Sequence, residues 1–105
     1  MNDTRIVLSA AGSRQEAERI AHHLVETRLA ACVNLVPQGI SVYRWRGVIE
    51  TVDEILMVIK TSSECLRELE SEIERLHSYE VPEFLVLSVE SGGAKYLEWM
   101  RGNLK

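Results

Sequence analysis

The sequence predicts an α+β domain in which a four-stranded antiparallel sheet carries two helices on one face, with a long bent hairpin and a C-terminal helix. Runs of β-forming residues alternate with two apolar stripes at helical spacing, and Gly or Pro stands between successive segments. The 105 residues are the length of one domain and contain no repeat or low-complexity linker. Residues 1–105 are therefore interpreted as a single domain.

The first strand and the first helix follow from local patterning. Residues 6–10 (IVLSA) form a strand-like run, and Gly12 marks the turn after it. Ser13 and Glu16 match a capping box, in which the serine accepts from the third amide and the glutamate reaches back to the cap. Apolar residues then recur at helical spacing to about Thr27, namely Ala17, Ile20, Ala21, Leu24 and Val25.

The middle of the chain predicts a long hairpin. Residues 32–36 are rich in β-formers, and this run stops at Pro37, while Gly39 offers a bend or a bulge. The strand resumes over residues 40–46, and the return arm ends in residues 54–60, which are nearly all apolar. Such a composition is typical of a central strand that has a neighbour on either side.

The tip of the hairpin is marked by Gly47, which turns the chain. Alternation along the strand before it places Tyr43 and Trp45 on one face and Arg44 and Arg46 on the other. Two aromatic rings at this position are more apolar surface than a monomer would need.

The second half of the chain predicts a helix, a strand and a final helix. Residues 61–63 (TSS) offer caps, and Glu64 is placed to close a capping box with Thr61. The apolar stripe of this helix is Leu66, Leu69, Ile73 and Leu76. A strand over residues 84–89 and a short helix from about Ala94 follow, separated by two glycines.

The resulting order, β-α-β-β-α-β plus a terminal helix, is the ferredoxin-like arrangement, in which both helices cover the same face of the sheet. The other face is bare unless something covers it. A domain this short benefits from burying more surface, so we expect subunits to share the bare face and the hairpin tip.

Composition excludes some partners. The net charge is −4 and the 12 basic residues are scattered, which argues against a nucleic-acid partner. The longest apolar run is residues 55–59, too short to cross a membrane, and no targeting segment opens the chain. We interpret Cys32 and Cys65 as reduced thiols of a cytoplasmic protein.

Five segments, in order, resemble the CutA divalent-cation-tolerance family. They are residues 29–34, 41–47, 59–61, 77–83 and 96–99, and their spacing matches with little or no insertion. The resemblance implies a ferredoxin-like fold and a homotrimer in which long hairpins extend the sheet across subunit boundaries. It also implies a link to divalent-metal tolerance and, in some members, copper binding.

The metal site that the resemblance implies is incomplete in this chain. Some members combine a cysteine on the first strand with two adjacent histidines after the second helix. Here the strand position corresponds to Ser9, and the histidine pair has become Leu76-His77, so only His77 is kept. One imidazole is a weak site for copper, whereas His77 with Glu80 or Glu83 would suit zinc, nickel or cobalt. A capping or loop role for His77 is the other interpretation.

The remaining ligand-binding candidates are Lys60, Tyr79 and Glu80, and Cys32 ranks after these three. A lysine at a strand end is usually solvated, but one that lines a subunit cleft could hold an anion. Cys32 begins a strand beside small alanines, which favours a buried small side chain over a ligand.

The aromatic residues Tyr43, Trp45 and Trp99 are predicted to lie in subunit interfaces, because interfaces favour such rings. His22 and His23 are interpreted as surface residues, since adjacent helical residues do not share a face.

No catalytic motif for nucleophilic, phosphate-binding or metalloprotease chemistry is present, so the sequence predicts a binding or regulatory protein and not an enzyme. Three alternatives stay open at this point. They are a structural trimeric platform for another protein, a PII-like small-ligand sensor without metal, and an enzyme whose site is shared between subunits.

Overall fold

The computed structural model describes residues 3–105. The elements are β1 (Thr4–Ala11), α1 (Arg14–Glu26), β2 (Cys32–Trp45), β3 (Val48–Ser62), a 3₁₀ turn (Ser63–Cys65), α2 (Leu66–Leu76), β4 (Leu85–Ser88) and α3 (Ala94–Gly102). Within this range the strands form one sheet in the order β2-β3-β1-β4, with every neighbouring pair antiparallel. This is the ferredoxin-like topology that the sequence predicts.

Helices α1 and α2 cover one face of the sheet. Side chains alternate along a strand, so Met57 and Ile59 of β3 are fully buried under the helices together with Val7 of β1. The helices contribute Ile20, Leu24, Leu69 and Ile73 to the same core. The opposite side of the sheet, which we call the open face, carries the alternate residues. It includes Leu8, Leu56, Val58, Lys60, Leu85 and Leu87.

The start of α1 confirms half of the predicted capping box. The Ser13 side chain accepts a 3.1 Å hydrogen bond from the backbone N–H of Glu16. The Glu16 carboxylate, however, turns away from the cap and accepts from the backbone N–H and the hydroxyl of Ser78, at 2.7 and 3.1 Å. The predicted reach back to Ser13 is therefore wrong, because Ser78 offers two donors to one nearly buried carboxylate.

The predicted capping box of α2 is wrong. Thr61 and Ser62 are the last residues of β3, and the Thr61 hydroxyl donates a 2.7 Å hydrogen bond to the carbonyl of Leu29. Helix α2 begins only at Leu66, after the 3₁₀ turn, and no side chain caps it. Complete burial of Thr61, together with its sheet pairing, holds it in the strand.

Strand β2 does not stop at Pro37. It continues to the hairpin tip, and a bulge between Val36 and Gly39 takes up the proline, which is one of the few places where a strand tolerates one. A Cβ on Gly39 would lie 2.8 Å from the carbonyl oxygen of Glu54 on β3, so the bulge brings the two backbones into close approach. The hairpin gives the molecule its longest dimension, 44 Å.

The two cysteines occupy different surroundings, and both are free thiols. Cys65 is buried in the core. Cys32, expected to be the buried one, is half-buried on the open face, because it pairs with Lys60 and shares its side of the sheet. No helix within residues 3–105 has the length and apolarity of a membrane span.

Candidate functional site

A cavity of about 740 Å³ opens between the hairpin and the loop that follows α2. We call it the cleft. Its lining residues are Ala10, Ser41, Val42, Tyr43, Trp45, Glu54, Tyr79, Glu80, Val81, Pro82 and Glu83. Two of the sequence-predicted ligand candidates, Tyr79 and Glu80, and two predicted interface residues, Tyr43 and Trp45, therefore share one site.

Tyr79 joins the two sides of the cleft. Its phenol donates a 2.8 Å hydrogen bond to Oε2 of Glu54 on β3. Burial raises the pKa of Tyr79 well above its usual value, and the hydrogen bond to the Glu54 carboxylate raises this pKa further. The phenol is therefore a fixed, protonated donor at neutral pH.

His77 lies behind the cleft, and its side chain has no exposed surface. Its Nε2 is 2.6 Å from the carbonyl oxygen of Ala10, and its Nδ1 accepts a 3.0 Å hydrogen bond from the backbone N–H of Tyr79. A carbonyl requires a donor and an amide requires an acceptor, so these contacts favour the neutral imidazole with its proton on Nε2. Both ring nitrogens are used in holding the loop.

A carboxylate that sequence reasoning assigned to a helix cap supports the same loop. Glu16 Oε2 lies 4.0 Å from Nδ1 of His77, and Glu16 also binds Ser78. Burial alone would raise the pKa of Glu16, but the two hydrogen bonds from Ser78 and the charge of the nearby Arg19 bring this pKa below its ordinary value. Glu16 is thus a charged anchor for the loop after α2.

The donor set does not fit a metal centre built from one chain. Ser9 is fully buried, and its hydroxyl donates a 2.7 Å hydrogen bond to the carbonyl oxygen of Glu83. Within residues 3–105 no group of three or more His, Cys, Asp or Glu side chains could hold an ion. To bind His77, an ion would have to displace the hydrogen bond to Ala10 or the one from Tyr79. His77 as a metal ligand stays a prediction.

Lys60 and Cys32 lie outside the cleft. The Lys60 ammonium donates to Oδ1 of Asn34 and lies 3.9 Å from the sulfur of Cys32. Lys60 and Glu54 are six residues apart on β3, roughly 20 Å along an extended strand. The predicted ligand set therefore occupies two separate places on one chain.

The hairpin tip reaches back to the loop after α2. Arg46 Nη2 makes a 3.0 Å ion pair with Oε2 of Glu80, and its guanidinium lies 5.4 Å from the centre of the Trp45 ring. The predicted placement of Arg46 opposite Trp45 is wrong, because Arg46 is already in the turn, where its φ of 50° lets the side chain fold over the ring.

Trp99 does not join the cleft. It lies on α3, about half-exposed, with its ring 5.4 Å from that of Tyr96. Its predicted role in an interface stays a prediction.

Sequence reasoning did not identify Glu54, Arg46 or Glu16 as site residues. Glu54 could have been recognised from the sequence, since it is a carboxylate at the start of an otherwise apolar run. The roles of Arg46 and Glu16 could not be recognised from the sequence, because their partners are 34 and 62 residues away.

Comparison with known proteins identifies relatives over nearly the whole chain. The profile of the CutA1 divalent ion tolerance protein family matches residues 5–103. The divalent-cation tolerance protein CutA of Thermus thermophilus is 42% identical over 98 residues, which cover 93% of this chain and 95% of that protein. The human protein CutA is 49% identical over 85 residues, 81% of this chain.

The chain spans about half the length of the human relative, since the match covers 48% of it. Among solved structures, the divalent cation tolerance protein of Thermus thermophilus superposes with a TM-score of 0.94 at 40% identity. That match covers 97% of this chain and 99% of the solved one.

Proposed function

The chain belongs to the CutA1 divalent ion tolerance family, and on that premise we propose that it is a homotrimeric, non-catalytic binding protein of the response to divalent metal ions. The observation that carries the proposal is the apolar open face of the sheet. Leu85 is 58% exposed, Leu87 48% and Leu56 37%, on the side that α1 and α2 do not cover.

An exposed apolar patch on one side of a sheet supports association of subunits. Lys60 and Asn34 lie towards one end of this face, and the cleft lies at the other, where Ala10 and Glu54 belong both to the open face and to the cleft lining. A neighbouring subunit on the open face would therefore border the cleft. The number of subunits, three, follows the family resemblance.

The cleft is the proposed ligand site, with Tyr79 and Glu80 as contacts and His77 as the residue that positions the loop. Lys60 and Cys32, at the far end of the open face, are proposed to face a neighbouring subunit. Tyr43 and Trp45 border both the cleft and the hairpin tip, so they can serve an interface and a ligand together.

The non-catalytic assignment is supported by the state of the titratable groups around the cleft. Tyr79 is held protonated by its raised pKa, and both nitrogens of His77 are bonded to the backbone. The Tyr79 phenol is therefore not poised to give up its proton at neutral pH, and the His77 ring has no nitrogen free to contact a substrate. We also propose a cytoplasmic location, since both cysteines are free thiols.

A small-ligand sensor without bound metal is the second candidate. It is favoured by the two hydrogen bonds of His77, because they leave the one retained histidine no free lone pair. In this case tolerance of divalent ions would be an indirect result of ligand binding.

Light scattering of the purified chain tests the trimer. We expect about three times the 11.9 kDa chain mass. Leu87→Glu should reduce the mass, because it places a charge on the open face, whereas Val25→Glu, at a similarly exposed position on α1, should not. A wild-type monomer, or a trimer unaffected by Leu87→Glu, would remove the open face from the proposal.

Calorimetric titration of the metal-free trimer with copper(II), zinc and nickel separates the two candidates. Saturable binding that is lost in His77→Ala, in a trimer of unchanged mass, supports a metal-binding protein. Absence of binding to a folded trimer supports the sensor without metal.

A further inference from the structure

Gly12, in the turn between β1 and α1, lies against the Tyr79 ring. A Cβ at this position would be 3.0 Å from the phenol oxygen of Tyr79 and 3.6 Å from two carbons of its ring. The first separation is tighter than nine in ten contacts that a real Cβ makes, whereas the second is an ordinary van der Waals contact. The phenol oxygen is therefore the atom that a side chain at position 12 would crowd.

The backbone does not require a glycine at this turn. Gly47 at the hairpin tip has a φ of 82°, a conformation that residues with a side chain rarely adopt. Gly12 has no positive φ, and it is exposed, so neither the turn nor burial excludes a side chain there. The space that the Tyr79 phenol occupies is the remaining reason for a glycine.

We propose that Gly12 is a positioning residue of the cleft: without a side chain at this position, the Tyr79 phenol can lie over the β1–α1 turn and reach the Glu54 carboxylate. This inference rests on the proposed function of the cleft as the ligand site, with Tyr79 as one of its contacts. Gly12 is not a lining residue, so it acts through Tyr79.

Tyr79 has little freedom to give way to a side chain at position 12. Its phenol donates to Oε2 of Glu54 at 2.8 Å, and its backbone N–H donates to Nδ1 of His77. The His77 ring is held in turn by the carbonyl of Ala10, and its centroid lies 4.6 Å from that of the Tyr79 ring. Movement of the phenol away from the turn would therefore disturb its contact with Glu54.

This contact determines what the cleft offers to a ligand. The phenol has a single hydrogen, and Glu54 accepts it, so Tyr79 and Glu54 both present acceptor oxygens to the cleft that they line. A phenol displaced from Glu54 would offer its hydrogen as well. Gly12 thereby sets the hydrogen-bonding character of this end of the cleft.

A double-mutant cycle tests whether Gly12 acts through the phenol oxygen. Gly12→Ala should raise the unfolding equilibrium constant per chain about fivefold, measured in urea at pH 7 and fixed protein concentration. In the Tyr79→Phe background the same change should raise it less than about twofold, because the crowded oxygen is gone. Gly102→Ala, where a Cβ meets no atom within 4 Å, is the control and should have the same effect in both backgrounds.

The ionisation of Tyr79 gives a readout that a general loss of packing would not change. Burial and the hydrogen bond to Glu54 raise the pKa of Tyr79 above its usual value. In Gly12→Val, whose larger side chain displaces the phenol, this pKa should fall towards about 10. Carbon-13 NMR of the tyrosine Cζ atoms against pH measures it. The Tyr79 signal is the one missing from Tyr79→Phe, and Tyr96 on α3 is the internal control.

Two results would overturn the inference: an equal effect of Gly12→Ala with and without the phenol oxygen, or an unchanged pKa of Tyr79 in a folded Gly12→Val. Both measurements concern contacts within one chain, so they can be made whatever the assembly. A monomeric wild type would count against the proposed function. A trimer in which Gly12 and Tyr79 are not coupled would count against this inference alone.

Discussion

The phenol of Tyr79 donates a 2.8 Å hydrogen bond to Oε2 of Glu54, and this contact ties the loop after α2 to the base of the hairpin. The same loop is held from behind by His77, whose ring binds Ala10 of β1 and the backbone of Tyr79. Strands β1 and β3 thus fix one loop.

Removal of the phenol oxygen should loosen this loop. Tyr79→Phe keeps the ring and loses the hydrogen bond to the Glu54 carboxylate, so we expect a loss of about 1–2 kcal/mol in the free energy of unfolding. Urea denaturation at pH 7 and fixed protein concentration measures it. Tyr96→Phe, on exposed α3, is the matched control and should change stability by less than about 0.5 kcal/mol.

The raised pKa of Tyr79 predicts a loss of stability in alkali. A tyrosine whose folded pKa exceeds its unfolded value of about 10 binds its proton more tightly in the native state. Its contribution is complete below pH 10 and is lost as the pH rises towards the folded pKa. Between pH 9 and pH 11 the wild type should therefore lose more stability than Tyr79→Phe, and parallel curves would contradict this.

Glu16 should determine part of the acid sensitivity. Its folded pKa lies below the unfolded value, so its contribution is present above about pH 4.5 and is lost as the pH falls through the folded pKa. Glu16→Gln should flatten the dependence of unfolding free energy on pH between pH 3 and 6. Glu18→Gln, a more exposed carboxylate in an ion pair with Arg14, is the control and should change the slope less.

The ion cluster between α1 and α2 gives a prediction for NMR. Hydrogen bonds from Arg75 and from His23 lower the pKa of Glu72 to about 2. Arg75→Gln should raise this pKa most, because Arg75 makes the larger contribution, and His23→Gln should raise it less. Side-chain carboxyl shifts recorded against pH measure both, and an unchanged Glu72 in Arg75→Gln would contradict the assignment.

The fold could be predicted because its signals are local. Ser13 and the N–H of Glu16 are three residues apart, and the stripes of α1 and α2 each lie within one segment. The Glu16 side chain was predicted wrongly because its partner, Ser78, is 62 residues away and only the fold brings it near. The spacing of apolar residues predicts which face of an element a side chain occupies. It does not predict which residue, distant in the sequence, becomes its hydrogen-bond partner.

The candidate site could be predicted only in part for the same reason. The sequence indicated residues 77–83 through His77, Tyr79 and Glu80, yet the hydrogen-bond partners that hold this loop lie on β1 and β3. Lys60 lies on the same face as Glu54, but its position along β3 separates it from the cleft. Distance along a strand is visible in a sequence only after the sheet register is known.

The bulge that bends the hairpin should depend on the absence of a side chain at Gly39. A Cβ there would lie 2.8 Å from the carbonyl oxygen of Glu54, and this backbone atom cannot move without disturbing β3. We expect Gly39→Ala to cost about 1–3 kcal/mol of unfolding free energy. Gly102→Ala, where a new Cβ meets no atom within 4 Å, is the control, and an equal loss in both variants would contradict the role of the close approach.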